Sequence, residues 1–424
     1  MCAKYAVKTV VCQDGERLPM LLDTDSGQPL FDATVFTLCE LRSRNLASAT
    51  IEQVLRALKV LFLFCDLQGI SLDERLSQGR LLQLGEVDDL ARHCRFSIDD
   101  LEAQVLRATI PYKSSSSTTV SLLGYRNRSV LSSKTEVGSA GMRLRYIAQY
   151  LKWLTERRLL NLPPQHPMFA ALIEVKSLVL DAILARVPGG KGRNGLGKRT
   201  SLTQEAQERV WQVIGPESPE NPWKGAHARA RNELIVRWLL GLGLRRGELL
   251  GVDIRLINFR SNEVVVVRRA DDKHDPRGIQ PNAKTLDRVL PFNGDLAKRT
   301  QDYIINFRRK FPFAKKHPFL FVANGGRPLG IRALNKIFEA LRERCPDLPD
   351  DVMPHVLRHT WNDNFSIAMD DSGTAPENEQ KMRSRLMGWK PTSKTAETYN
   401  RRATERRARK ASLEMQEKMV KRTK

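Results

Sequence analysis

The segment GLRRGE, residues 243–248, combines residue types that could bind an anionic group. Arg245 follows a glycine break, where a helix can end and present a side chain to a cleft. Glu248 could hold an arginine in place through a bidentate ion pair. Taken alone, the segment also fits a solvated basic turn between two helices, since charged runs are usually exposed.

The segment PHVLRH, residues 354–359, points to the same chemistry. His355 and Arg358 are three residues apart and would share one face of a helix. Pro354 favours a helix start at this point, and the backbone N–H groups and dipole of a helix N-terminus attract anions. The alternative for this segment is a histidine at the edge of the core beside a surface arginine.

Three further side chains could act on a bound anion. Lys284 lies in or near a hairpin turn ahead of a predicted strand, and a lysine on such a turn can reach into a site and give up a proton. Lys273 lies on the same loop and is a rival. Tyr399 precedes a basic helix, and Trp389 follows a glycine. Alone, the lysines fit solvated turns, and the two aromatic residues fit core packing.

Helical periodicity in the first half of the chain predicts basic helices. One begins near Thr50, whose spacing to Gln53 fits a capping box, and apolar residues then recur on one face. Others cover residues 141–160 and 168–186. The polar face of the helix at 141–160 could contact an acidic partner through Arg143, Arg145 and Lys152.

Residues 187–200 read VPGGKGRNGLGKRT, with five glycines and no acidic residue. This composition predicts a flexible linker, and it is the best domain boundary in the chain. The segment could be a plain spacer, or its basic residues could follow the phosphates of a nucleic acid. Those residues are Lys191, Arg193, Lys198 and Arg199.

The second half mixes helices with short strands. Apolar and β-branched runs predict strands at residues 263–269, 286–292 and 319–323, of which the first two could pair as a hairpin with a long tip. Helices are predicted before and after them, at residues 201–214, 226–250 with a break near Gly241 and Gly243, 332–345, 354–369, 381–387 and 403–420.

The predicted fold class is mainly α with a small antiparallel sheet, that is, α+β. The expected order along the chain is an N-terminal segment without a clear period, a helical domain, the linker, an α+β domain and a basic C-terminal helix. Their ranges are 1–30, 31–186, 187–200, 201–402 and 403–424.

Composition indicates the class of partner. The 424 residues include 70 Lys and Arg against 48 Asp and Glu, a net charge of +22, which favours a polyanion. An anionic membrane is the competitor of nucleic acid, but no apolar run approaches 18 residues and no secretory h-region is present. The six scattered cysteines form no metal-binding pattern, so we expect reduced thiols and a cytoplasmic, nucleoid-associated protein.

The order of these motifs resembles that of the tyrosine recombinases, the phage integrase family, over roughly residues 201–402. The stretches Phe319-Leu320-Phe321 and Arg327-Pro328-Leu329 also resemble the family's sequence ahead of its histidine motif. The resemblance implies six catalytic residues with Glu248 in support: Arg245, Lys284, His355, Arg358, Trp389 and Tyr399.

The sequence departs from the family pattern in three places. Most members have histidine where Trp389 stands, and the gap from Trp389 to Tyr399 is one residue longer than usual. The loop at residues 270–285 is long, which keeps Lys273 in competition, although the spacing to the following strand favours Lys284.

The chemistry of DNA strand cleavage suits these residue types. Attack on a phosphodiester builds negative charge on its non-bridging oxygens, which the guanidinium groups of Arg245 and Arg358 could neutralise. His355 could accept a proton from the attacking hydroxyl or hydrogen-bond the phosphate. Trp389 could donate its indole N–H to a phosphate oxygen, and Lys284 could protonate the departing 5′ oxygen.

The resemblance implies that Tyr399 is the nucleophile and forms a 3′-phosphotyrosyl bond. That bond would store the energy of the broken linkage, so neither ATP nor any other cofactor is expected. Because the site would carry fixed positive charge, no metal is expected either.

The resemblance also implies the assembly. The helical first half is similar in kind to the family's core-binding domain, which would form a C-shaped clamp on double-stranded DNA with the catalytic domain. The basic C-terminal helix would dock on a neighbouring protomer, giving a dimer on each site and a tetramer on two sites. The expected function is integration or excision of a mobile element, with accessory DNA-bending or partner recombination proteins left open.

Three alternatives remain at this point. A metal-dependent nuclease could use the aspartate pairs at 271–272, 350–351 and 370–371, although adjacent side chains point apart. A type IB topoisomerase uses a similar set of groups. A DNA-binding relative without activity could have kept the fold.

Overall fold

A computed structural model of the chain describes residues 4–109, 134–189, 201–283, 285–390, 393, 395, 399, 404, 407–409, 411–416 and 418. The chain divides into two compact units, Met1–Asn194 and Gly195–Lys424. Each unit has its own hydrophobic core. Helices dominate both units, and the strands form small antiparallel sheets, so the fold class is α+β as predicted.

The first unit opens with a β-hairpin. Strand β1 (Tyr5–Val11) pairs antiparallel with β2 (Arg17–Asp23), with Tyr5 opposite Asp23. Tyr5 and Leu21 are buried in the core of this unit. The sequence showed no clear period in residues 1–30, and the structure places in them a hairpin whose apolar side chains cover the helices that follow.

Seven helices and one π-helical segment complete the described part of the first unit. The core is centred on α2, where Leu58 and Phe64 are fully buried, and α2 ends at Gly69 in a left-handed conformation (φ +63°) that glycine adopts without strain. The elements are α1 (Phe31–Phe36), the π-helix Thr37–Arg42, α2 (Ser48–Gln68), α3 (Leu72–Ser77), α4 (Leu84–His93), α5 (Ile98–Thr109), α6 (Val137–Leu160) and α7 (Pro167–Ala185).

The second unit surrounds a three-stranded sheet with helices. The strand order is β3 (Ile257–Asn258), β4 (Glu263–Val266) and β5 (Arg288–Pro291), all antiparallel. The helices are α8 (Gln204–Ile214), α9 (Ala226–Leu242), α10 (Arg246–Leu250), α11 (Gly294–Asn306), α12 (Ile331–Arg344), α13 (Pro354–Asp371) and α14 (Pro376–Met387), with short 3₁₀ turns at Ile254–Leu256, Arg308–Lys310 and Pro312–Lys316.

The third strand of this sheet differs from the prediction. Residues 319–323 make only isolated bridges, Phe319 to Asp253 and Val322 to Pro328, whereas Ile257 pairs with Val264 as the outer strand. Helix α11 was not predicted. It begins where the Asn293 side chain accepts a hydrogen bond from Leu296 N–H at 2.9 Å, a cap that sequence periodicity alone did not reveal.

Helix packing brings two of the motifs together. Helix α9 packs against α13, so the end of α9 lies near the start of α13. Trp238 of α9 is fully buried, and its indole Nε1 donates to Thr300 Oγ1 at 3.0 Å, which fixes α9 against α11. No helix within the described ranges is both long and apolar enough to cross a bilayer.

Candidate active site

Helix α9 ends at Gly243, two residues before Arg245. Gly243 has φ +59°, and a Cβ atom there would lie 2.8 Å from the Trp361 ring and 2.9 Å from Met387 Cε. Only glycine fits both the conformation and the space. The chain then turns, and Arg245 precedes α10, with its backbone N–H donating to Glu248 Oε2 at 3.0 Å.

Glu248 joins several elements of the site. Its buried carboxylate accepts hydrogen bonds from Arg288 Nη2 and from the Thr285 hydroxyl, both at 2.7 Å. It also lies 3.4 Å from Arg245 Nη1 and 3.8 Å from Arg358 Nη1. Burial, the largest single influence, raises the pKa of this carboxyl, but the charges of Arg288 and Arg358 and the hydrogen bonds outweigh it, so the pKa is lowered overall.

Arg358 is buried with donor capacity to spare. Its side chain is 2% exposed, and Nη1 donates to the Gly243 carbonyl at 2.6 Å. Nη2 has no hydrogen-bond partner among the described residues, and the same holds for the buried indole Nε1 of Trp389. The Arg358 guanidinium lies 5.8 Å from the centroid of the Trp389 ring. Two unsatisfied buried donors beside each other form a site that an anion would complete.

The electrostatic environment of Arg358 also indicates an anion-binding site. Burial, followed by the charge of Arg245, lowers the pKa of Arg358 to about 9, which still leaves it charged at neutral pH. The negative charge of Glu248 opposes this lowering of the Arg358 pKa, but the same carboxylate also pairs with Arg288. A bound anion would offset the cost of burying this positive charge.

Tyr399 lies against the same group of residues. Its ring stacks on Trp389, with centroids 5.5 Å apart and planes 13° apart, and its hydroxyl lies 2.8 Å from His359 Nδ1. The ring of His359 contacts that of His355, with centroids 4.4 Å apart. The structure therefore brings His359 to the tyrosine hydroxyl, and the predicted His355 lies next to His359 in an exposed position.

His359 is the functional candidate that sequence reasoning missed. It is the last residue of the segment HVLRH and lies four positions after His355, so both histidines fall on one face of α13. That spacing was a usable signal. The family resemblance assigns the corresponding role to His355 instead.

The residues that follow the lysine position are held by contacts with two other segments. Lys284 lies outside the described residues. Thr285 is buried and bonded to Glu248, and Leu286 N–H donates to the Gly388 carbonyl at 2.9 Å. A Cβ atom at Gly388, where φ is +63°, would lie 2.8 Å from Leu286 O, so the turn ahead of Trp389 packs directly on this segment. Lys273 is exposed.

The predicted basic face of α6 is only partly available. Arg145 and Lys152 are exposed. Arg143 does not fit the prediction, because its Nη1 donates to the carbonyls of Cys94 and Phe96 at 3.0 and 2.6 Å and so ties α6 to the end of α4. The other predicted basic contacts lie outside the described residues: Lys191, Arg193, Lys198 and Arg199.

Members of two of the three aspartate pairs of the nuclease alternative contact arginines. Asp370 accepts a hydrogen bond from Arg407 Nε at 2.8 Å, and Asp272 lies 3.7 Å from Arg269 Nη1. In the part of the chain that the structure describes, one group of three side chains could share a cation. It lies in the turn of the N-terminal hairpin and consists of Cys12, Asp14 and Glu16.

The family assignment follows from the match to a family model. The model of the phage integrase family matches residues 218–406, which include Arg245, Arg288, Arg358 and Tyr399. This segment belongs to the phage integrase family. The family resemblance stated from the motifs is thereby confirmed for these residues.

The individual relatives that match this chain are distant. Tyrosine recombinase XerC of Mannheimia succiniciproducens is 26% identical over 141 residues, which are 33% of this chain and 42% of the relative. Tyrosine recombinase XerC of Haemophilus influenzae strain 86-028NP is 28% identical over 141 residues, with the same two shares. The chain thus spans less than half the length of these relatives. The crystal structure of XerH site-specific recombinase bound to a palindromic difH substrate is 14% identical, covers 85% of this chain and 96% of that one, and has a TM-score of 0.43.

Proposed function

We propose that this protein is a site-specific DNA recombinase that cleaves and rejoins DNA through a 3′-phosphotyrosyl intermediate. One observation carries the proposal. A tyrosine hydroxyl in contact with a histidine lies beside buried arginine and indole donors that have no partner among the described residues. Membership of residues 218–406 in the phage integrase family supports it.

The nucleophile side of the reaction begins at Tyr399. His359 Nδ1, 2.8 Å from the hydroxyl, takes the proton, and the phenolate oxygen attacks phosphorus. A bond from tyrosine oxygen to phosphorus forms as the bond from phosphorus to the 5′ oxygen breaks. Charge on the non-bridging oxygens is met by Arg358 Nη2, Arg245 and the Trp389 indole N–H.

The leaving-group side belongs to Lys284, which gives its proton to the departing 5′ oxygen. Its neighbour Thr285 is bonded to Glu248, whereas Lys273 is exposed on the loop. These positions favour Lys284 over Lys273 as the general acid. Because the phosphotyrosyl bond keeps the energy of the broken linkage, rejoining is the same reaction in reverse and needs no ATP. The arginines supply the charge that a metal would otherwise provide.

The test of this function is covalent adduct formation. Nicked duplexes made from DNA flanking the gene are incubated with the protein in EDTA and resolved on denaturing gels. A DNA-linked protein band is expected. No band despite site-specific binding would favour the alternative of a relative without activity. An adduct together with plasmid relaxation, but no exchange between two sites, would favour a topoisomerase.

DNA is the proposed partner because the chain carries a net charge of +22 and exposes Arg145 and Lys152 on α6. We propose a dimer on each site and a tetramer on two sites, linked by the C-terminal helix. In that helix Leu413 and Met415 are 49% and 54% exposed, as a docking face requires. The proposed role is integration or excision of a mobile element.

Replacing His359 by glutamine is expected to slow adduct formation by roughly 10²- to 10⁴-fold, since glutamine keeps a polar side chain but accepts no proton. The acid limb of the rate–pH curve should also flatten. In His355→Gln the rate should fall while the acid limb persists. The measurement is single-turnover cleavage from pH 5 to 9. A flattened limb only in His355→Gln would return the role of base to His355.

Replacing Lys284 by alanine is expected to slow cleavage of ordinary DNA by about 10²- to 10⁴-fold. A substrate with sulfur in place of the bridging 5′ oxygen should restore the rate. A thiol has a pKa of about 8.5, compared with a pKa of about 15.7 for water, so the sulfur leaves without a proton. Lys273→Ala is the matched control and should behave as wild type on both substrates. The reverse pattern would assign the acid to Lys273.

A further inference from the structure

Beneath the nucleophile lies a buried arginine that the proposed chemistry does not use. Arg383 of α14 is fully buried, and its guanidinium carbon lies 5.8 Å from the centroid of the Tyr399 ring. The same guanidinium lies 5.5 Å from the ring of Phe365 on α13. Both distances are within cation–π range.

Glu379 holds this arginine in place. The carboxylate is 2% exposed, and its Oε1 accepts hydrogen bonds from Arg383 Nη2 and, at 2.7 Å, from the Ser366 hydroxyl. Arg383 Nη2 also contacts Ser366 Oγ. The guanidinium is therefore fixed by partners on both α13 and α14.

The second oxygen of Glu379 reaches the C-terminal helix. Oε2 accepts a hydrogen bond from Arg407 Nη2 at 3.1 Å, and Arg407 Nε donates to Asp370 at 2.8 Å. One carboxylate thus connects a cation under the nucleophile with a cation eight residues after it in the chain.

Burying such a network costs free energy that apolar packing would not. Replacing a buried ion pair by well-packed hydrophobic residues is often neutral or stabilising, so stability alone does not account for Arg383. The position of Arg383 beside the Tyr399 ring offers another explanation for its burial. A fixed positive charge at the ring face attracts a phenolate more strongly than a neutral phenol.

We propose that Arg383 is a positioning residue for Tyr399, held by Glu379 and linked through that carboxylate to Arg407. It orients the ring and favours the phenolate when the hydroxyl proton passes to His359. This inference rests on the proposed function of Tyr399 as nucleophile. It adds that seating of the C-terminal helix, through Arg407, sets how readily the tyrosine attacks.

Several charged groups act on Tyr399, so a test must separate the effect of Arg383 from the effects of the others. The groups facing it directly or through Glu379 come from three elements: His359 and Arg358 on α13, Arg383 on α14, and Arg407 in the C-terminal helix. Arg383 is distinguished from His359 because it neither takes nor gives the proton.

The experiment compares Arg383→Met with Arg383→Lys in the full chain. Single-turnover adduct formation on the nicked duplex is measured from pH 5 to 9, together with DNA affinity and the thermal unfolding temperature. Methionine keeps the length and loses the charge. It is expected to lower the rate on the order of 10- to 30-fold and to displace the acid limb towards higher pH. Lysine keeps the charge and should restore most of the rate and the position of the limb.

Three outcomes overturn the proposal. They are a wild-type rate and pH profile for Arg383→Met, a lower rate without displacement of the limb, and no rescue by lysine. If wild type itself forms no adduct, it is the proposed function that fails, which is a separate result.

A second variant covers the case in which Arg383→Met does not fold. Arg407 is half-buried, and Arg407→Gln removes only the distal end of the network. We expect the rate of adduct formation to be about 3- to 10-fold lower, which corresponds to the loss of one hydrogen-bonded ion pair. Arg409, exposed in the same helix, supplies the matched control Arg409→Gln, for which the rate should not change. Equal rates for the two variants would contradict the link through Glu379.

Discussion

Replacing Tyr399 by phenylalanine is expected to abolish the covalent adduct and leave DNA affinity unchanged. Phenylalanine keeps the ring that stacks on Trp389 at 5.5 Å and lies near Arg383, so the packing survives. The change removes one oxygen, which is both the partner of His359 and the proposed attacking atom. The loss should exceed the roughly 10²- to 10⁴-fold that a general acid or base contributes, because no other group replaces the nucleophile.

The measurement is the adduct on denaturing gels in EDTA, with binding to the same duplex followed by gel shift. Tyr303→Phe is the matched control, since Tyr303 is a buried tyrosine of the same unit whose hydroxyl lies 3.3 Å from His227 Nε2. Its adduct should form at the wild-type rate. An adduct that persists in Tyr399→Phe would place the nucleophile elsewhere.

Replacing Glu248 by glutamine is expected to cost about 3–5 kcal/mol of the free energy of unfolding at pH 7. The amide has nearly the same size, but it leaves the buried cations Arg288 and Arg358 without their shared counter-charge. Cleavage should be lost as well, because Arg358 would no longer be held beside Trp389. Urea denaturation measures the first effect, and the adduct assay measures the second.

The control is Asp295→Asn, which removes a carboxylate 57% exposed and paired with Arg299. A surface pair of this kind should change the free energy of unfolding by less than about 1 kcal/mol. Similar losses in the two variants would contradict the central place of Glu248 in the site.

The stabilisation from Glu248 should depend on pH in a definite direction. The folded protein lowers the pKa of this carboxyl, so its contribution is complete above the unfolded value of about 4.3. It is lost as pH falls through the lower folded value. The difference between wild type and Glu248→Gln should therefore be constant near neutrality and shrink in acid.

The motifs could be predicted because each depends on local sequence. Gly243 ends a helix and Pro354 begins one, and these two signals suffice to place Arg245 and Arg358 at helix boundaries. The α+β class followed from helical periodicity in both halves and from β-branched runs such as residues 263–266.

What was missed depends on contacts between residues far apart in the chain. Glu248 was expected to hold an arginine nearby, yet its strongest partner, Arg288, is 40 residues away on β5. The contact between His359 and Tyr399 also spans 40 residues. Strand β3, Ile257–Asn258, has two residues, which is too short for an alternating pattern to appear. A buried charged residue such as Arg383 cannot be distinguished from a surface residue in the sequence. The sequence does not show which partners the residue contacts in the folded protein.

The turn at Gly388 has a consequence for the direction of the reaction. It joins the segment that follows Lys284 to the segment that carries Trp389 and leads to Tyr399, through the hydrogen bond from Leu286 N–H to the Gly388 carbonyl. The segments next to the proposed donor and the proposed nucleophile are thus connected at this one turn. A displacement of the turn would change cutting and resealing by the same factor. The balance between broken and intact strands would then be set by the DNA and its assembly, with the protein favouring neither.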